Sequence, residues 1–238
     1  MERIVDDGSR LPRARLIGLV YLSYFLIAFL GDFVIKRVVI AGDPALTASN
    51  LLAHEATYRA GFAIGLIGSV IYIALTALFY RLFKPVDATI SLLMAFFSLV
   101  GCATQIIADI LLLAPLVVLR DSQLAGAFQV GQLRAAALVS LRLYSQSFYI
   151  SFVLFALFDF FLGYLIFRST FLPRALGVLM MIAGVVASTF LYPPLGIALK
   201  SFVLPVAGLA EVVVMLWLIV KGVNVERWEE WVAPPVAR

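Results

Sequence analysis

Acidic residues within long apolar segments are the residues of this sequence whose chemistry stands out. Asp159 occupies the middle of "SFVLFALFDFFLGYLIF", and Glu211 and Asp109 lie in two similar stretches. An acid at the centre of a lipid bilayer costs about 2.5–3.5 kcal/mol on insertion scales. Each of these three carboxyl groups must therefore be protonated, hydrogen-bonded or exposed to a water-filled cavity. A fourth acid, Asp32, precedes Lys36 by four residues, which predicts an ion pair on one helical face.

A stripe of polar residues accompanies one of these acids. Its members are spaced 4, 3 and 4 residues apart, so they share one face of a helix: Ser98, Cys102, Gln105 and Asp109. An apolar helix points such a stripe into a bundle, where the simplest arrangement brings it together with the other two buried acids. The stripe then either lines a functional cavity or holds the helices in register through hydrogen bonds.

The candidate residues for binding a ligand or a proton are Asp159, Glu211, Asp109 and Gln105. For Asp159 with Glu211 the functional interpretation is favoured, because two acids without an obvious basic partner are a costly way to join helices. Raised affinity for protons, caused by burial, would let these groups exchange a proton near neutral pH.

Several kinds of chemistry are excluded by what the sequence lacks. It contains one cysteine and one histidine, so no internal disulfide, Cys/His zinc site, iron–sulfur cluster or bis-histidine haem can form. His54 has no identifiable serine partner, and neither the HExxH motif nor a phosphate-binding glycine loop occurs. The residues before Asp109 and Asp159 do not resemble the motifs of intramembrane aspartyl proteases. We therefore predict no cofactor, no metal and no catalytic residue.

The composition determines which elements must position these residues. Hydrophobic residues make up 63% of the chain and charged residues 13%, with a mean hydropathy of +1.06, whereas soluble domains carry about 25% charged residues. Six apolar segments are long enough to span a bilayer. They cover about 16–35, 60–80, 88–114, 148–167, 175–192 and 201–220. We expect an all-α polytopic membrane protein, with residues 1–238 forming one integral membrane domain, and Pro115 marks the expected end of the third span.

The connections and the small residues add detail to this bundle. Asp43-Pro44 predicts a capped helix start, and the segment from Ser122 to Gln146 predicts either an interfacial helix or an outward extension of the fourth span. The expected outer-face helices are therefore amphipathic. Small residues four apart predict close helix packing, namely Gly61, Gly65 and Ser69 in one span and Gly184 and Ser188 in another.

The basic residues indicate the orientation. Of the 18 Lys and Arg residues, 11 lie in segments on the same side as the N-terminus, which favours both termini in the cytoplasm. Their scattered placement at the ends of apolar runs is typical of membrane topology and argues against a nucleic-acid partner. Trp228 and Trp231 are expected near the headgroups of the inner leaflet.

Four stretches together resemble a known family. They are "ARLIGLVYL", "GDPALTASNLLAHEATYRAGFAIGL", "LGYLIFRSTFLPRALGVL" and "LPVAGLAEVVVMLWLIVKGVN". Their order and spacing resemble the bacterial membrane proteins classed as domain of unknown function 4386, over about residues 14–224. The resemblance implies a bacterial multi-pass inner-membrane protein and brings no activity, cofactor or catalytic residue. It places Glu211 at the position of a glutamate in the family's last span, without a role.

These observations lead to one expected function and two alternatives. The expected function is binding or transport of a small molecule, an ion or a lipid through a cavity with buried carboxyl groups. The first alternative is a non-catalytic accessory or sensor subunit of a membrane complex, and an intramembrane enzyme is less favoured. The expected partners are membrane lipids and either a second copy or a partner membrane subunit, because six helices are few for a secondary transporter.

Overall fold

The computed structural model describes residues 14–40 and 42–233. Within these ranges the chain forms α-helices and no strand. The helices are α1 (Ala14–Val38), α2 (Pro44–Ala53), α3 (Glu55–Phe83), α4 (Ala88–Arg120), α5 (Ser122–Ala127), α6 (Val130–Arg168), α7 (Arg174–Ala187), α8 (Pro193–Val220) and α9 (Val225–Val232). A 3₁₀ segment, Ser188–Leu191, follows α7 directly. Four basic residues that contributed to the predicted orientation, Arg3, Arg10, Arg13 and Arg238, lie outside the described residues.

Six helices in the described part of the chain are long and apolar enough to cross a membrane. They are α1, α3, α4, α6, α8 and α7 with its 3₁₀ segment. The predicted segment 175–192 covers most of α7 and the 3₁₀ segment and extends one residue beyond them. Each of the other five predicted segments lies within a single helix. The prediction of an all-α bundle is confirmed, and the chain is a multi-pass membrane protein.

Local chemistry explains where the helices begin and end. The Asp43 carboxylate accepts a hydrogen bond from the Leu46 amide at 2.9 Å, which confirms the predicted cap of α2. Asp87 caps α4 in the same way and also receives the Arg168 guanidinium at 2.7 Å, which ties the start of α4 to the end of α6. Gly222 ends α8 with a φ of 69°, a left-handed conformation that favours glycine.

Pro115 does not end α4, so that prediction is wrong. The helix continues for another turn to Arg120. A proline removes one backbone donor and crowds the preceding turn, and membrane helices tolerate this where a neighbouring side chain satisfies the backbone groups. The buried Tyr58 hydroxyl of α3 donates to the Leu112 carbonyl of α4 at 2.5 Å, one residue after the Leu111 carbonyl that Pro115 leaves without its helical donor.

The structure decides between the two predictions for the segment after α5 and shows the surroundings of Trp228. The segment after α5 is an extension of the fourth span, because α6 runs for 39 residues without a break. Trp228 packs against the bundle, since its side chain is buried and its indole donates to the Leu82 carbonyl at the end of α3 at 3.3 Å, and its expected depth near the inner headgroups stays a prediction. Helix α9 therefore packs Trp228 against the end of the bundle.

The six spanning helices form a closed ring of neighbours. Each spanning helix packs against the next one in the order α1, α3, α4, α6, α7 and α8, and α8 packs against α1. Helices α2 and α5 lie at one end of this ring, which we call the α2 face. Helix α9 and the short turns after α3 and α6 lie at the other end, which we call the α9 face.

Glycines bring two pairs of ring helices together. A Cβ on Gly177 of α7 would lie 2.6 Å from the Gly163 carbonyl of α6, and one on Gly184 would lie 2.6 Å from the Ala156 carbonyl. A Cβ on Gly18 of α1 would lie 2.8 Å from a backbone nitrogen of α8. The close packing predicted at Gly184 is confirmed.

Candidate functional site

A cavity of about 420 Å³ lies inside the ring, between α1, α3, α4 and α6. Its volume falls in the range of small-molecule sites, roughly 300–1,000 Å³. Along α1 the lining extends from Tyr24 to Ile35, which is about 16 Å of helix. The cavity therefore reaches from Glu211 of α8, deep in the bundle, to Asp32 beside the α2 face.

Glu211 is held in place by a tyrosine of the first helix. The Tyr21 hydroxyl donates to Glu211 Oε2 at 2.6 Å, and Tyr21 has no exposed surface. This bond is possible because Gly18 lets α8 approach α1 closely, one turn before Tyr21. Tyr21 donates to only one of the two carboxylate oxygens, and Glu211 also lines the cavity.

Asp159 lies behind this wall instead of on it. Its side chain is 3% exposed, it is not among the residues that line the cavity, and its Oδ1 has no hydrogen-bond partner. It is close enough to Glu211 for the two carboxyl groups to interact electrostatically. The neighbouring ring of Phe158 packs against Tyr72 at 5.7 Å between centroids, which separates this region from lipid.

The polar stripe of α4 points inward, as its spacing predicts. Ser98 forms a hydrogen bond with Thr76 of α3 at 2.5 Å, so this end of the stripe joins two helices. The other three members line the cavity. Gln105 donates to Asp109 Oδ1 at 3.0 Å, while its own Oε1 is buried without a partner. Ser98 therefore joins helices, the other three members line a cavity, and a functional role of that cavity stays a prediction.

The basic residues lie away from the buried acids. The ion pairs of the described residues join Lys36 with Asp32, Arg59 and Arg120 with Glu55, and Arg168 with Asp87. All lie at the two faces, and the predicted pair of Asp32 with Lys36 is confirmed at 2.6 Å. Among the described residues, none of these ion pairs includes Asp109, Asp159 or Glu211.

Glycines on α3 divide between packing and open space. A Cβ on Gly61 would lie 2.8 Å from the Ile35 side chain, which confirms close packing of α1 and α3. At Gly65 a Cβ on Gly31 of α1 would lie 3.6 Å from the Gly65 backbone nitrogen, whereas a Cβ on Gly65 itself would meet nothing within 4 Å. The open space beside Gly65, which has no side chain, belongs to the cavity.

Sequence reasoning missed the aromatic residues that complete the site. Tyr24 and Tyr72 line the cavity with ring centroids 4.6 Å apart, and α6 adds Tyr144, Phe148, Phe152 and Phe155. A tyrosine within a membrane span is a usable signal, because its hydroxyl needs a polar neighbour. That signal would have singled out Tyr21 as a partner for an acid.

The structure thus brings Glu211, Asp109 and Gln105 to one cavity and places Asp159 behind its wall, within electrostatic range of Glu211. Their role as ligand or proton sites stays a prediction.

The model of the family described as Domain of unknown function (DUF4386) matches residues 16–222. The chain belongs to this family. No curated protein and no solved structure matches it.

The part of the chain that matches DUF4386 contains the whole candidate site. All six spanning helices fall in it except the first two residues of α1, and α9 lies after it. The cavity is therefore a feature of the DUF4386 portion, and the helix that covers the α9 face is not.

Proposed function

We propose that this protein binds a small molecule in the cavity and carries it across or out of the membrane. Glu211 and Asp109, with Gln105, hold the polar part of the ligand, and the aromatic wall holds its apolar part. Asp159 acts from behind the wall through its interaction with Glu211. The protein resides in a bacterial inner membrane, with the α9 face in the cytoplasm.

The observation that supports this proposal is the cavity itself. Two acids without basic partners in the described structure lie on the wall of a ligand-sized space that reaches the α2 face. An accessory subunit that met basic residues of a partner would need such acids on its outer surface. An enzyme would need an activated nucleophile, and Cys102, the cysteine on the wall, has no histidine beside it.

The proposed orientation is supported by charges at the α9 face. The described basic residues there are Arg15, Arg81, Lys84, Arg168, Arg174, Lys221 and Arg227. They flank short turns, where the positive-inside rule counts most. Reporter fusions after Val232 and within the connection between α4 and α6 test this orientation, and an extracellular signal from the first fusion would contradict it.

A single introduced cysteine tests whether the cavity is accessible. In a Cys102→Ala background, Gly65→Cys adds a thiol where a Cβ has free space. We expect the protein in lipid nanodiscs to react with methyl methanethiosulfonate, a small neutral reagent. Cys102→Ala alone, which contains no cysteine, gives the background. No reaction at Gly65→Cys in a folded protein would contradict a ligand cavity.

Impermeant maleimides added to one side of oriented vesicles then test transport. A transporter exposes the thiol at position 65 to each face in turn, so reagents on either side should label it. Labelling from the α2 face alone would agree with a binding protein and contradict a transporter.

A further inference from the structure

We infer that the ligand is a lipophilic organic cation, an amine or quaternary ammonium group attached to apolar groups. This inference rests on the proposed function, because it assigns a chemical class to the ligand of the same cavity. It is carried by the charge of the cavity wall, by its aromatic rings and by its size.

The ionisable side chains of the wall are acids, with no base among them. Among the described lining residues there is no lysine, arginine or histidine, and there are three acids, Asp32, Asp109 and Glu211. Lys36 pairs with Asp32 at 2.6 Å, while Gln105 and Tyr21 bind the other two through neutral hydrogen bonds. A cavity with low-dielectric walls and one sign of charge concentrates ions of the opposite sign. An anionic ligand would find no basic side chain on this wall.

The rings on the wall suit a cation with apolar groups. Tyr24 and Tyr72 lie beside Glu211 on the wall, and Phe155 packs against Tyr72 at 5.0 Å between centroids. Aromatic faces attract ammonium groups, and cages of such rings are a common way to bind quaternary ammonium ligands. The remaining rings of α6, Phe148 and Phe152, offer apolar contact further toward the α2 face.

The size of the cavity argues against a bare metal ion. Hard cations need about six oxygen ligands within about 2.6 Å, whereas the acids here lie on different helices around a space of about 420 Å³. A neutral hydrocarbon would fill the space without needing either acid. A cation of molecular size uses both the acids and the rings.

The first experiment compares two thiol reagents that differ in charge. Trimethylammonioethyl methanethiosulfonate is a cation, and sulfonatoethyl methanethiosulfonate is an anion of similar reach. Both react with Gly65→Cys in the Cys102→Ala background, and Gly126→Cys, on the exposed helix α5 with open space at its Cβ, serves as the matched control. We expect the cation-to-anion rate ratio at position 65 to exceed that at position 126 by about tenfold or more.

The second experiment measures protection by a reversible ligand. Benzyltrimethylammonium should slow the reaction of Gly65→Cys with neutral methyl methanethiosulfonate, and benzenesulfonate at the same concentration should not. Adding Glu211→Gln and Asp109→Asn should remove both the protection and the charge preference while the neutral reagent still reacts. Ser69→Cys, a nearly isosteric change on the same wall, replaces Gly65→Cys if that variant does not fold.

The outcomes separate this inference from the function on which it rests. If the neutral reagent fails at both positions 65 and 69, the cavity is closed and both proposals are wrong. If the neutral reagent reacts but the charge ratio equals that of the control, or benzenesulfonate protects as well as the cation, the cation inference is overturned and the cavity stands.

Discussion

The bond between Tyr21 and Glu211 shows how one residue pair can shape a membrane site. A buried carboxylate oxygen in an apolar bundle needs a donor, and the Tyr21 hydroxyl provides it at 2.6 Å across two helices. By contrast, Asp159 Oδ1 is left without a partner. The two acids therefore have different effects on stability, and single substitutions can measure each.

Replacing Tyr21 with phenylalanine should destabilise the protein by about 1–3 kcal/mol, because it keeps the ring and leaves the buried Glu211 Oε2 without a donor. The measurement is the free energy of unfolding in mixed detergent. Tyr24→Phe is the matched control, since no hydrogen bond of its hydroxyl is found in the described structure. Equal effects of the two variants would show that the hydroxyl of Tyr21 does not hold Glu211.

Asp159→Asn should stabilise the protein by about 0.5–2 kcal/mol, as substitutions that relieve a strained functional group often do. The amide keeps the shape of the side chain and removes an acid that lacks a hydrogen bond at Oδ1. Thermal unfolding in detergent measures the change. Asp121→Asn, at a half-buried helix cap where asparagine serves equally well, should change little. A lower melting temperature for Asp159→Asn would make this acid a structural partner.

At the scale of the helix, backbone contact between α6 and α7 depends on glycine. Gly177 and Gly163 bring the two backbones so close that neither position has room for a methyl group. The α3 glycines show the opposite case, because the space left by Gly65 stays open and forms part of the cavity. Small residues at helical spacing thus predict either contact or a cavity, and the neighbouring helix decides which.

Gly177→Ala should destabilise the bundle by about 1–3 kcal/mol, because its Cβ would lie 2.6 Å from a backbone carbonyl that cannot move alone. Gly208→Ala in α8 has no atom within 4 Å of its Cβ and should be neutral or stabilising by up to about 1 kcal/mol. Unfolding of the two variants under identical conditions makes the comparison. A neutral Gly177→Ala would contradict the described packing of α6 on α7.

Much of the helical plan could be predicted from the sequence, because span length and apolar content are local properties. The inward direction of the α4 stripe followed from spacing alone, and so did the ion pair at Asp32. Pro115 was misjudged because a proline removes only one backbone donor, which a membrane helix can tolerate, and α4 continues to Arg120. The aromatic wall and the separation of Asp159 from the cavity depend on which helices become neighbours, and one sequence does not contain that information.

At the scale of the whole molecule, the cavity is a space that folding leaves unfilled. Gly65→Leu should fill part of it, because Gly65 lines the cavity and a Cβ there meets nothing within 4 Å. We expect an unchanged or higher melting temperature and no protection by benzyltrimethylammonium at Ser69→Cys in the same chain. Gly208→Leu, at another open glycine away from the lining, is the control and should retain that protection. Retained protection in Gly65→Leu would place the ligand elsewhere.

The ring closes where α8 meets α1, and this junction has a consequence for biosynthesis. The start of α1 and the end of α8 are close together, since a Cβ on Gly222, two residues after α8, would lie 3.8 Å from the Cβ of Ala14. During translation, α1 reaches the bilayer long before α8 is made, so the flank that carries Tyr21 has only lipid beside it. The acid-lined wall is assembled when the last span inserts and brings Glu211 to its donor. A nascent chain arrested before that span should consequently display an open seam to membrane quality-control proteases and be degraded faster than the finished protein.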